Sequence, residues 1–169
     1  MSDIVWHLHR DHFDLGANTV RGVLTGRGRE GQPHITLHTV ENMARRIPPH
    51  EYQCVADFYH GGGYATWEII WPWDEDQDGQ PDRDRLLFHA ANAVRNRGGE
   101  LSLLGCVAPG MTRVENVWET FYPGEPLHDM AKQLPGVGAS KKAFNLFAKH
   151  NLDVESFVLR VTEVPAPTG

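Results

Sequence analysis

Four runs in the first half of the chain alternate apolar and polar residues with period two, and this alternation limits the fold more than any other feature. "IVWHLH" puts Ile4, Trp6 and Leu8 on one face, and "HITLHTV" does the same with Ile35, Leu37 and Thr39. "EYQCVADFY" aligns Tyr52, Cys54, Ala56 and Phe58, and "YATWEIIW" aligns Ala65, Trp67, Ile69 and Trp71. Residues two apart share a face only when the backbone is extended, so these runs predict half-buried strands. Between them lie the turn clusters "DLGAN", "GRGREGQP", "RIPPH" and "HGGG". Short strands with close Gly/Pro punctuation predict a small barrel or a sandwich-like antiparallel sheet.

The second half is mixed. "RLLFH" and "LSLLGCV" are short, continuously apolar runs that suit buried strands, and "VESFVLRVTEV" returns to alternation as a closing strand. "ASKKAFNLFAKHN" predicts a helix with Ser140 as its N-cap and Ala143, Phe144, Phe147 and Ala148 on one stripe. "PLHDMAKQL" predicts a shorter one. The expected class is α+β: a mainly antiparallel β-sheet or small barrel with one or two helices. A chain of 169 residues can bury a real core, and it reads as a single domain over residues 1–164 with a tail at 165–169.

A formal charge of -6 argues against a general nucleic-acid binder, which must neutralise phosphates. No stretch approaches the roughly 20 apolar residues of a membrane span. "MSDIVWHLHR" has no basic segment followed by an apolar one, so the expectation is synthesis in a cytoplasm without a signal peptide. Access to a cell wall would then come by lysis or in a phage particle. Cys54 and Cys106 form no disulfide framework, and a single bridge between them is the one pairing available. The ten histidines include alternating pairs such as His7 with His9, but none has the HExxH spacing of a zinc motif.

Two stretches carry candidate chemistry. In "DEDQDGQPD", Asp74, Asp76, Asp78, Gly79 and Asp82 follow the order of a calcium loop, and the carbonyl of Gln80 would supply the backbone ligand. The twelfth position holds Arg85 in place of a bidentate Glu. The loop is therefore either a structural calcium site or a solvated acidic turn, and no other cofactor is expected. In "LLFHAANAVRNRGGELSLLGCVAPG", one apolar run ends in His89 and the next in Gly105-Cys106. An imidazole beside a thiol can take its proton or stabilise the thiolate, with Asn92 orienting the imidazole or a substrate carbonyl. The alternative is an inert interior pair, because free cysteine is among the most buried residue types.

His89 followed by Gly105-Cys106 resembles the signature of cysteine transpeptidases of the L,D class, with Leu104 where that signature has a polar residue. A wider likeness runs through "LHRDHFDLGANTVRGVL", "TLHTVEN", "RIPPHEYQC", "LFHAAN", "LLGCVAPG" and "GASKKAFNLF". In that order these elements resemble an uncharacterised domain family of bacteria and their phages. Ala91 and His50 stand where that family has glycines, and the acidic loop is an insertion. The resemblances imply two readings. One is a cysteine-dependent peptidase or transpeptidase acting on peptidoglycan peptides, with Cys106 as nucleophile, His89 as base and then acid, and N–H groups near Gly105 holding the oxyanion. The other is a non-enzymatic phage accessory or virion component whose partners are phage or bacterial proteins. In that case Trp67, Trp71 and Trp73 form either an interface or part of the core.

Overall fold

The alternating runs are strands in the computed structural model, whose described residues are 4–78, 82–83 and 85–167. In chain order these are Val5–Asp14 (β1), Thr19–Gly26 (β2), Ile35–Asn42 (β3), Glu51–Tyr59 (β4) and Tyr64–Ile69 (β5). Then come Ala108–Gly110 (β6), Thr112–Val114 (β7), Val117–Phe121 (α1), Gly136–Gly138 (β8), Ser140–His150 (α2) and Ser156–Glu163 (β9). Seven strands form one curled sheet in the order β5-β4-β9-β1-β2-β3-β6, and β7 pairs with β8. Pairing is antiparallel throughout except between β1 and β9. The fold is α+β, mainly antiparallel and barrel-like, as the alternation predicts.

Residues 86–89 span the gap between the sheet's two ends. On one side, the Ile69 N–H donates to the Leu86 carbonyl (2.6 Å) and the Phe88 N–H to that of Trp67 (3.2 Å). On the other, the Val107 N–H donates to Leu87 (3.1 Å) and the His89 N–H to Val107 (3.2 Å). Glu68 with Leu87 is an antiparallel bridge and Phe88 with Val107 a parallel one. Four backbone bonds thus join β5 to the start of β6, which satisfies groups that a sheet edge would leave unpaired.

The inward face is apolar because the alternation is in phase. Trp6, Leu8, Leu37, Tyr52, Cys54, Trp67 and Ile69 are buried in one cluster with Leu86, Phe88, Val107 and Phe157. Helix α2 packs Phe144 and Phe147 into it; the Phe147 ring lies 4.9 Å from Trp6 and 4.8 Å from Phe88, centroid to centroid. Burying each such side chain contributes roughly 1.5–3 kcal/mol. The Trp6 indole N–H is satisfied by Asn151 Oδ1 at 3.0 Å, just past the helix end. A second cluster, including Val40, Ala93, Val94, Leu103, Ala108, Val117, Leu134 and Val137, packs residues 91–107 and 111–137 against β3 and β6. Among the described residues no helix is long and apolar enough to cross a membrane.

Several local expectations are corrected. "LSLLGCV" is not a strand: Gly105 has φ +112° and Leu104 is 61 % exposed, so the run breaks before the sheet resumes at Val107. "PLHDMAKQL" yields only the short 3-10 turn Asp129–Ala131. Ser140 does not cap α2; Ala139 holds the cap position in a left-handed conformation. The Ser140 hydroxyl instead donates to the Pro109 carbonyl (2.7 Å) and accepts from the Ala91 N–H (2.9 Å), tying the helix to the barrel. Cys54 and Cys106 are both free thiols. On β4, Tyr52 and Cys54 enter the core, but Ala56 and Phe58, next in phase, are exposed. Trp67 belongs to the core, and Trp71 and Trp73 pack partly buried against it.

Candidate functional site

The parallel bridge between Phe88 and Val107 sets the geometry of the His–Cys stretch. Phe88 and Val107 point into the core, so Leu87, His89, Cys106 and Ala108 share the opposite face. In this register Cys106 lies across from Leu87 and His89 from Ala108. His89 and Cys106 are therefore diagonal neighbours on that face and do not lie directly opposite each other. Among the described residues no hydrogen bond joins their side chains.

Each has other partners. The His89 ring stacks on Tyr59 with centroids 5.3 Å apart, and its Nδ1 lies 3.4 Å from the Ala90 carbonyl. His89 is buried, and burial lowers its pKa despite the opposing contact with Ala90, which favours the neutral imidazole. The Cys106 Sγ accepts from the Leu87 N–H at 3.5 Å and faces the Arg85 carbonyl at 3.7 Å. Burial pushes this thiol up, outweighing the opposite pull of the Leu87 N–H, Arg83 and Arg85. A broad surface groove is lined by His7, Arg27, Arg29, His34, Asp153 and Glu155; neither His89 nor Cys106 reaches it.

Gly105 and Asn92 have structural tasks. A Cβ on Gly105 would sit 2.3 Å from Arg83 Nη2, and its φ of +112° disfavours other residues. Arg83 stacks over Trp71 at 4.8 Å and donates to the carbonyls of Arg45 and Arg46, so glycine is what lets this guanidinium lie against the backbone. The Asn92 side chain donates to the Val137 carbonyl at 2.8 Å, and the Asn92 carbonyl accepts from the Val137 N–H at 2.8 Å. Asn92 anchors β8 and does not orient His89.

The acidic loop gathers three of its expected ligands. Asp74, Asp76 and Asp78 each offer a carboxylate oxygen within 4.8 Å of the others. The Asp78 N–H donates to Asp74 (3.1 Å) and to Asp76 (3.3 Å), and the Glu75 N–H donates to Asp82 (2.7 Å), which curls the loop. Gly79 and Gln80 lie outside the described residues. The neighbouring arginines turn away: Arg83 lies over Trp71, and Arg85 pairs with Asp57 while its N–H meets Glu68 at 2.9 Å. Clustered oxygen donors suit a hard cation such as calcium, and a water-exposed acidic turn can also hold this shape.

Sequence reasoning missed a buried ionic network at the core. Arg10 Nε and Nη2 donate to Glu41 at 2.8 and 2.6 Å, and both side chains are fully buried. Arg10 Nη1 also reaches the Ile47 carbonyl (2.7 Å) and Glu163 (3.1 Å), which Arg46 grips in turn. The signal was present: Arg10 is in phase with Trp6 and Leu8, and Glu41 with Leu37 and Thr39. A charge continuing an inward-facing row announces a buried partner. No family model, curated protein or solved structure matches the chain.

Proposed function

We propose that this protein is a non-enzymatic accessory or assembly module, as a phage or its bacterial host would use, working through its surface with protein partners. The observation that carries this reading is the state of the His89–Cys106 pair. The imidazole is stacked and its neutral form is favoured, the thiol is raised by burial, and each is held by backbone groups and not by the other. A cysteine nucleophile needs the reverse: a thiolate favoured by a cation or base in contact with it. The glycine beside Cys106 and the amide of Asn92 are accounted for by packing.

The test is alkylation of Cys106 by iodoacetamide in the native protein near pH 7, mapped by mass spectrometry so that buried Cys54 is scored separately. The expected rate is no faster than that of a free cysteine and is unchanged in His89→Ala. A rate well above free cysteine that collapses in His89→Ala overturns the proposal. It would restore the peptidoglycan transpeptidase reading, with Cys106 attacking a peptide carbonyl and His89 as base. Incubation with a peptidoglycan stem peptide is the second arm, and a covalent adduct on Cys106 has the same meaning.

A further inference from the structure

On the outer face of the sheet, β2 presents Arg21 beside Val40 of β3, and His38 follows two residues away. Arg21 is 2 % exposed, yet its Nη1 and Nη2 are gripped at 2.8 and 3.2 Å by Glu115, a side chain 75 % exposed. The usual arrangement pairs a buried charge with a buried partner; here the arginine is fixed and its carboxylate stands in water. Arg113 on β7 reaches the same region and pairs with Asp11 at the bulge of β1. The charges of Arg113 and Arg21 both bear on His38, and those of Arg113 and His12 on Glu115, so these groups form one cluster.

This cluster also holds unmet donors and acceptors. Six side-chain N or O atoms among the described residues are buried without a partner, and three of them are Arg21 Nε, Arg113 Nε and His38 Nδ1. Buried polar atoms are normally satisfied, so three orphans around one basic cluster mark a place where polar chemistry is incomplete. The two-pronged grip of Glu115 defines the shape that Arg21 accepts, because a guanidinium fork matches the two oxygens of a carboxylate.

We propose that Arg21, Arg113 and His38 form a binding site on the outer face of the barrel for the free carboxylate of a peptide or small acid, with Glu115 as its internal stand-in. The buried arginine supplies a preorganised fork, water solvates the exposed glutamate as it leaves, and the incoming carboxylate takes its place, so Arg21 is not left buried without a counter-charge. Asp11 keeps Arg113 oriented when Glu115 departs. The site is independent of the His89–Cys106 stretch and does not rest on the assembly reading.

The test uses the full ¹⁵N-labelled chain and follows the Arg Nε–H resonances by NMR near pH 7 at constant ionic strength. Acetylglycine is the carboxylate probe and inorganic phosphate the comparison. In Glu115→Gln, acetylglycine should shift the Arg21 and Arg113 resonances saturably. Its apparent Kd should be lower than in wild type by about fivefold or more, because Glu115 no longer competes for the fork. Adding Arg21→Lys should abolish the effect. Equal affinity in wild type and Glu115→Gln, or no saturable shift in either, overturns the proposal. A response to phosphate alone overturns the carboxylate assignment. Loss of the native amide spectrum in Glu115→Gln makes Glu115 a structural residue and ends its role as a stand-in.

Discussion

Glu41→Gln tests the reasoning about the buried network. Arg10 is fully covered and donates twice to Glu41, at 2.6 and 2.8 Å. Glutamine keeps the shape but removes the charge, and its amide nitrogen must face a guanidinium that offers only donors. Removing one member of a buried pair costs about 3–5 kcal/mol because the other charge stays buried and uncompensated. Glu163 remains 3.1 Å from Arg10 Nη1 and is only 16 % exposed, so the expected loss is at the lower end, about 3 kcal/mol. In a chain of this size that lowers Tm by roughly 6–12 °C, at about 2–4 °C per kcal/mol.

The assay is urea denaturation of wild type, Glu41→Gln, Arg10→Met and the double variant Arg10→Met/Glu41→Leu. Replacing both partners with apolar side chains removes the desolvation problem along with the attraction, so the double variant should be closer to wild type than either single one. A loss below about 1 kcal/mol for Glu41→Gln, the scale of a surface change, would refute the reasoning. A double variant that loses as much as the two singles added together would also refute it.

Phe147→Ala should cost about 3–5 kcal/mol by urea denaturation, since its ring meets Trp6, Trp67, Phe88 and Phe157, whereas Phe121→Ala, at 41 % exposed, should cost less than about 1. His89 has its pKa lowered by burial in the folded state, so the unfolded chain takes up the proton first as pH falls below 6.5. Stability should therefore drop from pH 6.5 downward until folded His89 also titrates, and His89→Gln should flatten that slope in urea midpoints between pH 7.5 and 5. His38, lowered by burial and by Arg113, keeps part of the slope in that variant. Calcium at tenfold its dissociation constant, itself on the order of 10⁻⁴ to 10⁻³ M for such a loop, should stabilise by about 1.4 kcal/mol and raise Tm over an EDTA control. Asp76→Ala/Asp78→Ala should abolish the rise, and a wild-type Tm indifferent to calcium makes the loop a solvated turn.

What could be read from the chain was whatever repeats with a period. The faces of β1 and β3, the Trp67 and Ile69 positions of β5, the alternation of β9 and the apolar stripe of α2 follow from spacing alone, because burial acts on one side of a regular element; Ala65, in phase with Trp67, is exposed. The barrel-like, mainly antiparallel sheet followed from the turns between them. The stretch from Leu101 to Cys106 misled because four apolar residues in six suggest a buried strand, while Gly105 adopts a left-handed conformation that no composition signals. Ser140 misled because a serine ahead of a helical stripe looks like a cap, and its use by the Pro109 carbonyl depends on a contact 31 residues away. The pairing of Arg21 with Glu115 across 94 residues left no local trace.

The His–Gly-Cys stretch looks catalytic in sequence, yet the structure gives the same residues the task of joining the two ends of the sheet. Leu86 and Phe88 fill the core, the backbones of residues 86–89 make the cross-links to Trp67, Ile69 and Val107, and Gly105 admits the Arg83 guanidinium. Two motions could still bring His89 to Cys106. Sliding residues 86–89 by two positions, about 6.6 Å, would break all four bonds that join the sheet ends. Turning the His89 ring alone would give up the Tyr59 stack, worth about 0.5–1.5 kcal/mol, a cost that a bound substrate can meet. The protons are the greater obstacle. Burial favours the neutral form of both groups, so a proton transfer on contact would have to place two opposite charges where desolvation disfavours each. Cys106 is therefore expected to stay a thiol even when His89 reaches it, and for that reason the dependence of the alkylation rate on His89, and not the rate alone, separates the two readings.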